Sequence, residues 1–93
     1  SYFQRLYERF GSYPLAIAAY NGGGGNVNKW VRNNGDPRTG QIDMVDWIEA
    51  IPFTETKGYV QRVLENAVVY DLMHPDRALS RGPRHMSWYL GQR

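Results

Sequence analysis

Four consecutive glycines, Gly22 to Gly25, interrupt the stretch LAIAAYNGGGGNVNKW that runs from Leu15 to Trp30. No residue from Leu15 to Tyr20 is charged. A helix built from them has no face to offer water and belongs at the centre of a fold. Glycine loses more backbone entropy on folding than any other residue, so a run of them after a buried helix implies a special backbone path or close approach of another group. A flexible linker is the plainer alternative. Linkers are flanked by polar sequence, however, and this one joins two apolar segments. Asn21 tolerates the left-handed conformation and Gly22 adopts it freely, so together they are expected to end the helix and turn the chain.

The rest of the chain reads as helices around that centre. Phe3, Leu6, Tyr7 and Phe10 recur at helical spacing with Gln4, Arg5, Glu8 and Arg9 between them, and Gly11 is the stop. Pro14 suits the first turn of the second helix. After the glycines, Asn26 is the expected cap of a short third helix with Val27, Trp30 and Val31 on one face, ended by Asn33, Asn34 and Gly35. Gly35 to Gly40 is the clearest surface loop. Asp43 is expected to cap a fourth helix to about Ala50, and Pro52 ends it. Thr54 is the cap candidate for the longest helix, from Glu55 to about Met73, with Val60, Val63, Leu64, Ala67 and Val68 as its core stripe. His74-Pro75 closes it. No strand-like alternation persists, so the expected class is all-α, about five helices with short connections.

Composition narrows the chemistry. The chain has 93 residues and no Cys, which excludes disulfides, zinc fingers and thiol nucleophiles. His74 and His85 have no partner at ligand spacing, so no metal or other cofactor is expected. The glycines lack the Lys-Ser/Thr of a phosphate loop, and they come after a helix where a dinucleotide fingerprint comes after a strand. There is no Gly-x-Ser-x-Gly elbow. A net charge of +2 suits an anionic polymer without choosing one. Arg77, Arg81, Arg84 and Arg93 come after the last acid, Asp76, so residues 76–93 read as an Arg-rich extension that either wraps the domain or belongs to a further segment of a larger protein. A helix-turn-helix reading is disfavoured, because the short helix after the glycines carries a single Lys where DNA recognition needs a basic face.

Two positions point to function from residues alone. A tyrosine ending a buried aliphatic helix needs a partner for its hydroxyl, and for Tyr20 the choice lies between a ligand at the glycine turn and protein backbone. Glu55 sits in a first helical turn after Ile51-Pro52-Phe53, with Tyr59 one turn along. Helix-dipole stabilisation of an exposed Glu explains its position slightly better on the residues alone. Trp30 is a ligand-stacking platform or core, and its size favours core.

At Ala19-Tyr20-Asn21 with the glycine loop, and again at Ile51-Pro52-Phe53-Thr54-Glu55-Thr56-Lys57-Gly58-Tyr59-Val60, the sequence resembles the catalytic domain of bacterial soluble lytic transglycosylases. The resemblance covers Tyr2 to about Met73 and implies the C-terminal part of a lysozyme-like all-α domain, placed at residues 1–75. Gly22 and Gly24 stand where the family has Ala and Pro, and Lys57 stands where Arg is usual. The family's catalytic Glu, in a Glu-Ser motif, and its Gly-Leu-Met-Gln motif are expected upstream, so no residue here is assigned as general acid.

The resemblance implies cleavage of the β-1,4 bond between N-acetylmuramic acid and N-acetylglucosamine in peptidoglycan, in the periplasm or cell envelope, with a 1,6-anhydro product. It implies that Tyr20 reaches the catalytic carboxyl or the N-acetyl group, that Asn21 shapes the turn, and that Glu55 and Tyr59 bound the sugar subsites. The parent protein is expected to be the enzyme and this chain alone inactive. Its expected partners are glycan strands, no nucleic acid, and either the upstream half of the domain or a second copy to cover the apolar second helix. The rival readings are a non-catalytic glycan-binding module and a basic helical nucleic-acid-binding domain.

Overall fold

The computed structural model describes residues 1–92, and among them every regular element is helical. Arg93, the last of the basic residues counted in the tail, lies outside the described residues. Helix α1 is Tyr2–Phe10, α2 Tyr13–Gly22, α3 Gly24–Asn34, α4 Met44–Glu49, α5 Thr54–Met73 and α6 His85–Leu90.

Local chemistry sets most of the boundaries. Ser1 Oγ accepts from the Gln4 amide, and Gly11 ends α1 in the left-handed conformation at φ 64°. Ser12 caps α2 by accepting from the Leu15 amide, and Pro14 falls in the first turn. Asp43 caps α4, with Oδ2 accepting from the amides of Val45 and Asp46. These are the ends where an oxygen-bearing side chain satisfies the first free N–H groups, or a glycine supplies positive φ.

Helix α2 is the centre. Pro14 to Ala19 are all buried, with α1, α3, α5 and α6 packed around them. An uncharged helix is therefore wrapped by the amphipathic ones, as its composition requires. The expectation that this helix needs an outside segment or a second copy to cover it is corrected: its own chain covers it. Exposed apolar side chains lie instead at the end of α5 and just beyond, at Val69, Leu72, Met73 and Leu79.

The glycine run resolves into a hinge one residue wide. Asn21 and Gly22 stay inside α2, and Gly23 makes the turn with φ 94° and ψ 139°. Gly24 and Gly25 are absorbed into the first turn of α3, so that helix starts two residues before the expected Asn26 cap. Asn26 caps the preceding helix instead, its Nδ2 donating to the Gly22 carbonyl at 2.7 Å. With no side chains at residues 24 and 25, nothing prevents α3 from starting directly after the hinge.

Two further expectations change. Thr54 is the first residue of α5 and not its cap, which is Phe53 without a side-chain bond. The helix count rises from five to six, because the tail returns as α6 and buries Tyr89 and Leu90 against the body. Of the two placements weighed for the tail, wrapping the domain is the one observed. Trp30 is core, 4% exposed, with its ring edge-on to Trp47 at 6.4 Å and to Phe53 at 5.2 Å.

Candidate functional site

The two sequence segments singled out above meet where the end of α2 crosses the start of α5. Thr56 is 2% exposed, and its hydroxyl donates to Asn21 Oδ1 at 2.7 Å. Gly22 makes the crossing close. A methyl group at its α-carbon would lie 2.9 Å from Thr56 Oγ1, 3.1 Å from Thr56 Cγ2 and 3.2 Å from Trp30 Cη2. The close approach that the glycines imply is thus made at Gly22 by α5 and Trp30, and the backbone of Gly23 then leads away.

Around this junction the other candidates sit at the surface. Tyr20 is 50% exposed, which overturns the expectation of a buried hydroxyl. It is the last turn of α2 that leaves the core, so the ring lies outside it, 5.7 Å from the ring of Tyr2 and 6.2 Å from that of Phe3. Its hydroxyl can meet water or a ligand directly. Glu55 is exposed in the first turn of α5. Among the described residues the one ion pair is Arg38 with Asp36, so no cation holds the Glu55 carboxylate. Tyr59 is half-buried against the core, four residues on and on the same helix face as Glu55. Lys57 donates to the Glu49 carbonyl at 3.2 Å and ties the start of α5 to the end of α4. The structure joins the segments through Asn21 and Thr56, and Tyr20 and Glu55 are the chain neighbours of that bond.

Two polar residues escaped the sequence reading. The stripe of Val60, Leu64 and Ala67 continues one turn in each direction, and its ends are Thr56 and Asp71, both buried. Asp71 Oδ2 accepts from the Ser80 amide at 3.1 Å, from the Ser80 hydroxyl, and from the Tyr89 hydroxyl at 2.6 Å. Ser80 Oγ is also 2.7 Å from His85 Nδ1. Burial pushes the Asp71 carboxyl up, but the donors from Ser80 and Tyr89 outweigh it and hold it below the ordinary value. Tyr89 is raised by burial and by the carboxylate it donates to. This cluster fastens the tail to α5. Ser80 lies between the acid and the imidazole, which is not the order of a nucleophilic triad.

Residues 1–42 match the family described as Transglycosylase SLT domain, and residues 50–74 match the family described as Soluble lytic transglycosylase helical domain. The chain thus joins a piece of the SLT domain to a piece of the helical domain of the soluble lytic transglycosylases. It is 45% identical over 71 residues to the soluble lytic murein transglycosylase of Salmonella typhimurium, covering 75% of this chain and 10% of that protein. It is 41% identical over 78 residues to the soluble lytic murein transglycosylase of Escherichia coli K12, covering 83% of this chain and 12% of that protein. The chain therefore spans about a tenth of the length of these curated relatives. No solved structure gives a significant match. The two matched stretches are not separate units here, because α2 from the first packs directly on α5 from the second.

Proposed function

We propose that this chain forms one wall of the glycan cleft of a peptidoglycan lytic transglycosylase acting in the periplasm or cell envelope. The observation that carries the reading is the Asn21–Thr56 bond, which fixes an exposed Tyr20 and an unpaired Glu55 beside one junction of two family segments. In the reaction one Glu protonates the glycosidic oxygen between N-acetylmuramic acid and N-acetylglucosamine. It then takes the proton of the muramyl 6-hydroxyl as that oxygen closes on C1, giving the 1,6-anhydro product without water. A single carboxyl thus serves where most glycosidases use two.

No Glu in this chain is followed by Ser, so the proton donor belongs to another segment of the parent and the chain alone is inactive. Its part is positional. Tyr20 offers a hydroxyl to the catalytic carboxyl or the N-acetyl group, Asn21 holds the turn, and Glu55 and Tyr59 bound the sugar subsites, where placed polar groups favour the oxocarbenium-like transition state. We assign residues 1–75 to the catalytic domain and 76–93 to an extension. The apolar end of α5 is covered by another part of the parent domain or by a second copy of the chain.

The test has two arms. Sacculi incubated with this chain should release no anhydro-muropeptides, and release would overturn the assignment of the donor elsewhere. Titration with soluble glycan fragments should shift the amide resonances of Tyr20, Asn21, Glu55 and Tyr59. Shifts absent there would remove the cleft from this junction. A non-catalytic glycan-binding module is the second reading, favoured by the missing Glu-Ser pair alone. A parent protein that binds sacculi without cleaving them would select it.

A further inference from the structure

At the other end of α2 from the Asn21–Thr56 junction lies a cavity of about 250 Å³ between the α1–α2 corner, the 35–43 loop and α6. Its walls are aromatic. The rings of Tyr7 and Tyr13 are 4.4 Å apart, and the ring of Trp88 stands 5.7 Å from that of Tyr13. Tyr7 is 36% and Trp88 37% exposed, so both have faces open to a ligand. The rim is bare backbone at Gly11 and Gly91, where a β-carbon would meet nothing within 4 Å.

Size and charge select the occupant. Pockets for drug-sized ligands run from about 300 to 1,000 Å³, and this one is smaller, matched to a single ring. Its one cation, Arg38, is already committed. Nε and Nη2 each lie 2.9 Å from an oxygen of Asp36, and Nη1 donates to the Phe10 carbonyl at 3.1 Å. A pair balanced in this way has no charge left to attract a free anion. What remains is phenol and indole surface with hydroxyl groups at its edges, which suits a neutral polyhydroxylated ring whose C–H face stacks on the aromatic faces.

We propose that this cavity is a second saccharide site, holding a sugar ring of the same glycan strand that the candidate cleft binds. The proposal rests on the glycan reading of the chain. Tyr13 and Tyr20 are seven residues apart on α2, nearly two full turns, so they project from one face about 10 Å apart, about the length of one disaccharide. Phe3 and Tyr7 on antiparallel α1 accompany them, Phe3 beside Tyr20 and Tyr7 beside Tyr13. Two aromatic clusters therefore stand on this pair of helices about one disaccharide apart, one at the cleft residue and one at the cavity.

The test titrates this chain with β-1,4-linked N-acetylglucosamine dimer and tetramer. Trp30 and Trp47 are buried, so the Trp88 indole reports the cavity and Tyr20 reports the cleft. The tetramer should shift both reporters. Trp88→Ala should weaken tetramer affinity about 3- to 10-fold with little effect on the dimer, and Trp88→Phe should restore most of it. Tyr7→Ala, with melting checked for each variant, gives an independent loss of the same wall. Unchanged tetramer affinity in both alanine variants, with Tyr20 still responding, overturns the second site and leaves the cleft reading intact. A response at Trp88 with Tyr20 silent keeps the cavity and overturns the cleft, and silence at both overturns both.

Discussion

Thr56 Oγ1 donates to Asn21 Oδ1 across 2.7 Å, and these two residues are 35 apart in the chain. The bond ties the last turn of α2 to the first turn of α5 next to the hinge at Gly23. Replacing Thr56 by Val keeps the shape and removes the donor. Because Asn21 is exposed and water can replace the lost partner, the expected cost is about 0.5–1.5 kcal/mol in denaturant unfolding. Thr56→Ser should recover most of it. A Val variant as stable as the parent chain would show that the bond does not hold the junction.

Neighbouring glycines should respond in opposite directions. Gly22→Ala places a methyl group 2.9 Å from the buried Thr56 hydroxyl and 3.2 Å from Trp30, so α2 must move off α5 at a cost of about 1–3 kcal/mol. Gly25→Ala meets nothing within 4 Å and lies in the first turn of α3 without positive φ, so it should stabilise by about 0.4–1 kcal/mol. Equal effects at the two positions would contradict the packing account. Melting curves of the two variants decide it.

The contrast between these glycines explains how far the sequence could be read. An uncharged α2, the stops at Gly11 and Gly35 and the Asp43 cap arise from short-range chemistry, and each is where the residues place it. The identity of the hinge glycine does not, because four equivalent residues compete and only their packing tells them apart, with Thr56 and Trp30 close to Gly22 and Arg9 close to Gly24. Tyr20 departs from its expected burial for a related reason: a pattern shows that a helix is buried but not at which residue it emerges. Thr56 and Asp71 were legible in principle, as the one-turn extensions of an apolar stripe, but a polar residue on a core line declares itself only when its partner is known.

Asp71 gives the tail a defined pH window. Its carboxyl is depressed in the folded chain, so the stability it contributes is present above its ordinary value of 3.8 and is lost as pH falls through the lower folded value. Tyr89 is raised, so its contribution is present below 10.0 and is lost as pH rises through the folded value above that. Attachment of α6 should therefore hold on a plateau between those limits. Asp71→Asn should flatten the acid limb and lower stability by about 1–3 kcal/mol, since all three donors meet one oxygen and a neutral amide oxygen accepts them more weakly than a charged carboxylate does. Hydrogen exchange of the α6 amides across pH measures this locally, and an acid limb unchanged in the Asn variant would assign it to other carboxylates.

Tyr20→Phe in the intact parent enzyme separates a functional hydroxyl from an incidental one with little ambiguity. A buried tyrosine would have complicated the experiment, because deleting an internal hydrogen bond lowers stability and activity together. Tyr20 is half exposed and its ring keeps Tyr2 and Phe3 as neighbours in the Phe variant, so the melting temperature should not move. Turnover per folded molecule should then fall by about 10- to 1000-fold if the hydroxyl serves the catalytic carboxyl or the N-acetyl group during bond cleavage. A loss confined to KM would place the hydroxyl on the bound sugar in the ground state, where binding is uniform through the reaction. Unchanged turnover and unchanged KM would remove Tyr20 from the cleft. The weight would then pass to Glu55, whose carboxylate is the other exposed group beside the Asn21–Thr56 bond and whose Gln variant would be measured in the same assay.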